Sequence, residues 1–408
     1  MKALVIAGGL PQIELIQQLK QRGYQTVLAD GSPQAVARPY ADTFYHVDVF
    51  DTDAIRQIAE REKVDFLITV CADQVLLVVA EVSQQLGLPC YIDNETAQNV
   101  SDKLRMKRIF SEHGVPTTHY VEMHRLDWDR LKALRYPLVV KPVDAYSSKG
   151  VRRVDHPEQL QQYYEEAHNI SRSGGVIVEE YFEGEEVSVD AFVVNGQAKI
   201  LAITNSDKVK DRDRFVIFRG RYPAAIPNAV RMQIETVAQQ IAEAFQLNNA
   251  PLLIQLLHNG KDISVLEFCA RTGGNMKYLL IKYSCGVDVI GATIDITTGQ
   301  APQLAPVCTT YPIVVNDFVY CRPGVFDHFE GFDTMEQEGL INEFHAVRLP
   351  GTEMRGVTSS SDRVAGMNIV AQTVDEYNQK LNKINQNVRV VSREGLDIMR
   401  HDLLPTLA

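Results

Sequence analysis

Short apolar runs alternate with amphipathic segments over residues 1–98 of the chain. Lys2–Ala7, Gln25–Asp30, Phe44–Val47 and Phe66–Val70 read as strands, and Pro11–Arg22, Asp51–Glu62 and Asp73–Leu86 carry helical spacing. That alternation predicts βαβ units, hence a parallel sheet with helices on both faces. Ser101-Asp102 then caps a basic helix, Lys103–His113, which Gly114-Val115-Pro116 stops. From Pro137 the pattern turns to short strands and turns, with a helix at Pro157–His168 on the way. Val176–Glu180, Glu186–Val194 and Lys199–Thr204 read as successive antiparallel strands, separated at Glu183-Gly184 and Asn195-Gly196. A helix is predicted over Ala229–Phe245, its apolar positions Val230, Ile234, Val237, Ile241 and Ala244 lying on one face. Pro251–Leu257 and Ser264–Ala270 form a hairpin around His258-Asn259-Gly260-Lys261, and a mixed region runs from Ile313–Tyr320 to Val388–Val391.

Length adds that 408 residues exceed a single core and suit roughly two or three domains. Charge adds a balance of 41 basic against 52 acidic residues, net −11, which argues against a nucleic-acid or anionic-membrane partner. The opening apolar run is too short for a signal peptide, and no stretch reaches the ~20 apolar residues of a membrane span. Cysteines 71, 90, 269, 285, 308 and 321 are scattered without a CxxC, which disfavours a disulfide framework or a zinc site. The chain is expected to be cytoplasmic. Gly8-Gly9 after the first strand and Asp30 ending the second suggest dinucleotide binding, but Leu10-Pro11 stands where further glycines belong.

Four patterns carry chemistry, and their order matters more than any one of them. Lys103 opens the basic helix; Lys141 closes the apolar strand Leu138-Val139-Val140-Lys141-Pro142 and is followed by the loop Asp144–Gly150. The third pattern runs Val178-Glu179-Glu180-Tyr181-Phe182-Glu183-Gly184-Glu185-Glu186-Val187. The fourth sets Gln255 ahead of Glu267-Phe268-Cys269-Ala270-Arg271-Thr272-Gly273-Gly274-Asn275. Taken singly, a helix lysine reads as solvated, the loop as ordinary surface and the acidic run as a solvated hairpin. Lys141 resists that reading, because a charge ending an apolar strand must meet a partner or reach water. Glu186 and Glu267 resist it too. Each sits among apolar neighbours, where an uncompensated carboxylate loses several kcal/mol to desolvation. Magnesium, which prefers oxygen ligands and bridges phosphates, is the expected compensating cation.

Together these residues resemble the ATP-grasp superfamily over about residues 1 to 300. The Gln at the first metal position is similar to carbamoyl-phosphate-synthetase-like members, and Glu-x-x-x-Arg-x-Gly-Gly to the amino-acid ligases. The resemblance implies an α/β and α+β chain with a Rossmann-like domain over 1–98 and a two-lobed ATP-grasp domain over 99–304. The first lobe, with its flap, would span about 115–180 and the second about 181–304, ahead of a small mixed C-terminal domain over 305–408. It implies ATP and Mg²⁺, or Mn²⁺ in its place, as cofactors. Lys103 and Lys141 would hold phosphates, and Ser147, Ser148 and Gly150 would belong to the flap. Glu179 and the Glu180-Tyr181-Phe182 backbone would meet the adenine edge, and Glu186 the ribose. Gln255 and Glu267 would ligate the metal, while Arg271, with Lys141, would act on the transferring phosphoryl group. Cys269 departs from the family's usual Asn, and the flap is poor in glycine; the first leaves the number of metal ions open.

The implied activity is ADP-forming ligation of a carboxylate to an amine or thiol through an acylphosphate, with an amino acid among the candidate substrates. A carboxylase or kinase of the same fold, or an inactive nucleotide-binding module, are the alternatives; the glutamate–histidine stretch of bicarbonate-using relatives is absent after Arg271. The small-molecule pocket is expected between the N-terminal sheet, Thr204–Pro223 and the Gly273-Gly274-Asn275 turn. Arg219, among Arg212, Arg214 and Arg221, is a candidate anion holder, and Asp73-Gln74 a second edge. A homodimer is common among such relatives.

Overall fold

The computed structural model describes residues 1–145, 149–209, 216–274 and 276–407. Its N-terminal part runs β1 (Lys2–Ile6), α1 (Leu10–Gln21), β2 (Gln25–Asp30), β3 (Thr43–His46), α2 (Thr52–Glu62), β4 (Phe66–Ile68) and α3 (Asp73–Leu86). The four strands pair in parallel in the order β3-β2-β1-β4. β1 shows why both faces must be covered: Leu4 and Ile6 pack with Ile55, Val75 and Val79 of α2 and α3, while Ala3 and Val5 pack with Leu15 and Leu19 of α1 on the other side.

Next come α4 (Asn94–Ser101) and α5 (Lys103–Glu112). Asp102 caps α5, accepting from the amides of Leu104 at 2.8 Å and Arg105 at 3.1 Å, which fixes where Lys103 leaves the chain. β5 (Tyr120–Met123), α6 (Trp128–Leu131), β6 (Leu138–Pro142), β7 (Arg152–Val154), α7 (Pro157–Ile170) and β8 (Val176–Glu180) make the first lobe, an antiparallel sheet ordered β5-β8-β6-β7. Leu138, Val140, Val176 and Val178 face Leu160 and Tyr164 of α7, so alternation turns Lys141 and Glu179 to the opposite face. The sequence reading put Val176–Glu180 in one antiparallel run with the strands after it. The structure places it in a different sheet, and Tyr181–Gly184 crosses between lobes instead of forming a hairpin turn.

The second lobe holds β9 (Glu185–Val194), β10 (Gln197–Lys208), β11 (Ile217–Tyr222), α8 (Asn228–Ala244), β12 (Ala250–His258), β13 (Ile263–Cys269), α9 (Lys277–Cys285) and α10 (Val289–Thr297). Val187, Val189 and Ala191 of β9 join Val230, Ile234 and Ile241 of α8 in the largest core, which leaves Glu186, Ser188 and Asp190 on the other face. Residues 305–407 add β14 (Ile313–Val319), β15 (Gly324–Glu330), α11 (Phe332–Gln337), β16 (Glu343–Ala346), β17 (Glu353–Met354), β18 (Ala365–Ala371), α12 (Val374–Asn387) and β19 (Arg389–Ser392). The second-lobe sheet does not stop at residue 304: it runs β13-β12-β9-β10-β11-β14-β18-β16, so the C-terminal region shares its hydrogen bonding. The N-terminal region is joined to it as well, since α1 packs on Val289, Ile290 and Ile294 of α10. Among the described residues, no helix is long and apolar enough to cross a membrane.

Candidate active site

A cleft opens between the first-lobe sheet and the second-lobe sheet. Lys103, Lys141, Ala145 and Lys149 line one side, Glu179 to Phe182 the back, and Glu186, Lys208, Gln255 and Glu267 the other side. Residues far apart in the chain that the sequence singled out are thus brought to one place. Gly150 sits next to the lining residues Lys149 and Val151, in a left-handed conformation (φ +72°) that favours glycine. Ser147 and Ser148 lie outside the described residues.

Within the first lobe, Glu179 is buried and saturated. Its carboxylate takes Lys107 Nζ at 2.6 Å, Lys141 Nζ at 2.6 Å and Thr118 Oγ1 at 3.0 Å. Burial works against its charge, but the two ammonium groups outweigh burial and hold the carboxyl down at about 2. Burial first, and the like charge of Lys141 after it, bring Lys107 down to about 8. This alters the role expected of Glu179: with its oxygens occupied, it orients lysines instead of meeting an adenine edge. Glu180 turns its carboxylate to Arg135 (3.2 Å), and its amide, like that of Tyr181, already donates within the protein, to His119 and Pro137 oxygens. Of the Glu180–Phe182 amides, only that of Phe182 has no acceptor among the described residues.

The second-lobe wall is arranged differently. Gln255 and Glu267 are register partners across the β12–β13 hairpin. Gln255 Nε2 donates to Glu186 at 3.3 Å, which leaves the amide oxygen uncommitted. Glu186 also meets Lys208 at 2.5 Å, and Glu267 meets Lys103 at 3.3 Å, while Lys103 further donates to Ala145 O at 2.6 Å. The sequence argument that a cation must compensate Glu186 and Glu267 therefore holds, but the structure supplies lysines for it. Whether a divalent ion also fits depends on the donor set. No group of three His, Cys, Asp or Glu suited to a metal occurs among the described residues. One carboxylate with lone pairs to spare and one amide oxygen do not make a closed cage, but they suit a Mg²⁺ that keeps water and substrate phosphate oxygens.

Arg271 stands beyond this wall, not on the cleft lining. It is buried, its Nε donates to Asp73 of the N-terminal domain, and Nη1 donates to Thr272 O at 2.8 Å. Burial opposes its charge, and the Asp73 carboxylate overcomes that opposition and raises its pKa. The predicted Asp73 edge and the Arg271–Gly274 turn thus meet. Gly273 is required there, because a Cβ would come within 2.6 Å of Lys277 Cγ. Asn275, Arg212 and Arg214 lie outside the described residues. Arg219 needs correcting as an anion holder: it is buried on β11, with Nε on Asp317 at 2.5 Å and Nη1 on Pro405 O at 2.6 Å, and it ties the C-terminal tail to the sheet. Arg221 pairs with Asp207.

Sequence reading missed Lys107, Lys208 and Lys277. Lys107 lies five residues into α5 and reads as a solvated helix lysine; only its buried partner distinguishes it. Lys208 and Lys277 had a fainter signal, as lysines closing a polar strand end and opening an apolar helix shortly after Gly273-Gly274.

Known proteins resemble this chain in sequence and in fold. Residues 3–89 match the family described as PylC-like, N-terminal domain, and residues 134–278 the family described as ATP-grasp domain. The chain is 20% identical over 292 residues to the carbamoyl phosphate synthase large chain of Clostridium acetobutylicum, covering 69% of this chain and 27% of that protein. It spans only about a quarter of that relative's length. An L-amino acid ligase from Bacillus licheniformis shares the fold with a TM-score of 0.79 at 19% identity, covering 96% of this chain and 99% of that one. So does the biotin carboxylase domain dimer of the Hydrogenobacter thermophilus 2-oxoglutarate carboxylase, solved with MgADP and bicarbonate, with a TM-score of 0.78 at 16% identity, covering 99% of this chain and 92% of that one. By these matches residues 3–89 are similar to the PylC-like N-terminal domain and residues 134–278 to the ATP-grasp domain.

Proposed function

We propose that the chain is an ATP- and Mg²⁺-dependent, ADP-forming ligase that joins a carboxylate, an amino acid by our reading, to an amine through an acylphosphate. The observation that carries this reading is the single cleft in which Lys103, Lys141 and Lys208 meet the Gln255–Glu267 pair. A carboxylate repels an amine and has no good leaving group, so γ-phosphoryl transfer to it supplies one. The protein's share of that step is alignment and charge neutralisation. Glu179 holds Lys141 toward the cleft, and Lys103, opening α5, enters it beside Glu267. Arg271, fixed by Asp73, adds positive charge where the acyl group would stand. Gln255 and Glu267 would hold Mg²⁺, which when bound neutralises phosphate charge.

The test is ADP release from ATP and Mg²⁺ with pooled carboxylic acids and amines, each withheld in turn. Release that needs both supports ligation. Release that needs only bicarbonate indicates a carboxylase, and nucleotide binding without any release indicates an inactive module; either result rejects the proposal.

A further inference from the structure

Beyond the metal-facing residues, the second-lobe sheet carries a polar group that nothing so far accounts for. Ser188 of β9 pairs with Gln255, which pairs with Glu267; one step further, Asp190 pairs with Leu253, which pairs with Cys269. Residues 186, 188 and 190 share a face, each step advancing about 6.6 Å along the strand. Asp190 is thus next in line after the Ser188–Gln255–Glu267 row, on the side away from Glu186. It is 1% exposed. Its Oδ2 accepts from Lys277 Nζ at 2.9 Å, and Lys277 also donates to Thr204 Oγ1 at 2.5 Å. Its Oδ1 has no hydrogen-bond partner among the described residues.

A buried anionic oxygen without a donor is expensive and rare, so it calls for an occupant. What covers Oδ1 is the bare α-carbon of Gly273, where an added Cβ would lie 3.1 Å from it. A Cβ added at Gly274 would meet only Cys71 O, at 3.9 Å. Two residues before Gly273, Arg271 is paired with Asp73 and has no hydrogen bond from Nη2 among the described residues. The two ion pairs, Asp73–Arg271 and Asp190–Lys277, sum to zero charge. A zwitterion adds no net charge to such a place, whereas an anion or a cation leaves one charge unpaired.

We propose that Asp190, held by Lys277, which Thr204 anchors in turn, is the seat for the ammonium group of an amino acid whose carboxylate is turned toward Arg271 for activation. This rests on the ligase reading and adds what recognises the acid.

The experiment uses hydroxylamine as the sole nucleophile, with ATP, Mg²⁺ and either pooled amino acids or the matching acids lacking the amino group. The wild type is expected to favour the amino acids by on the order of 10²-fold in kcat/KM, because a missing ammonium leaves the buried carboxylate unpaired. Asp190→Asn is expected to lose that preference while its release with the des-amino acids and its affinity for Mg-ADP stay within about twofold of wild type. Equal wild-type activity with both pools overturns the Asp190 assignment and leaves ligation standing, and needs no variant to fold. A preference kept by Asp190→Asn overturns it equally. No release with either pool removes the ligase reading and this assignment together.

Discussion

Glu179 and Glu267 face one cleft from opposite lobes, and both are paired with lysine, yet they are in different chemical situations. Glu179 is 3% exposed and has three donors, two of them ammonium groups at 2.6 Å. The Glu267 side chain is 34% exposed and has a single lysine at 3.3 Å. A carboxylate with every lone pair engaged serves to fix the groups that engage it; here those are Lys107 and Lys141. A carboxylate with lone pairs in reserve can trade a loosely held lysine for a metal ion and free that lysine for phosphate. The contrast follows from the sheets: Glu179 sits on an interior strand beneath α5, whereas Glu267 ends on the edge strand β13 at the cleft mouth.

The sharpest way to break this distinction is Glu179→Gln. It leaves two buried ammonium groups without their counter-ion, and loss of about 3–5 kcal/mol of stability is expected. Urea unfolding measures it; a change under about 1 kcal/mol would show that Glu179 is not the saturated anchor described. Next in size is Arg271→Ala, which is expected to lower turnover by on the order of 10²-fold, with smaller effects on ATP binding. Near-normal ligation by that variant would remove Arg271 from the chemistry. Glu267→Ala is the counterpart of the first: its half-exposed pair contributes about 0–1 kcal/mol, so folding should be little affected. What it should lose is the coupling of Mg²⁺ to nucleotide binding, read by calorimetry with and without the metal. If Mg²⁺ still tightened ADP binding to this variant, Glu267 would not be the metal ligand.

Much of this site was legible because strand alternation is local information. Glu267 was recognisable as a carboxylate interrupting an apolar run and Gln255 by its place ahead of it in the order of motifs, and the structure pairs them directly. Asp102 announced the helix that carries Lys103 by the same kind of local rule. What escaped was partner choice at long range. Nothing in Val176–Glu180 says that it pairs with β5 and β6 and not with the strand nine residues after its start. Nothing in Lys107 says that a glutamate waits across the sheet, or in Arg219 that Asp317 of the C-terminal region will neutralise it. Ion pairs and sheet edges are closed by tertiary contacts, so a reading by local pattern finds the charged residue and misassigns its partner. That is how the lysines that pair with Glu186 and Glu267 were overlooked.

The smallest expected effect is also the one that best separates the two glutamates, and it concerns acid. The two lysines keep the Glu179 carboxyl down at about 2 in the folded protein against an ordinary value of 4.5. The folded state therefore binds fewer protons at this group than the unfolded chain does wherever the two differ, and stability contributed by Glu179 is complete above the ordinary value. It declines only as pH falls below that value and is gone once the folded group protonates near 2. The stability gap between wild type and Glu179→Gln should accordingly stay flat from about pH 7 to pH 5 and begin to narrow only below about pH 4.5. Because the gap compares two proteins that share every other titrating group, changes common to both cancel. A gap that stayed flat down to about pH 2 would mean that Glu179 titrates like an ordinary carboxyl, and one that widened as pH fell would mean a desolvated one; either result would show that Lys107 and Lys141 are not held by it.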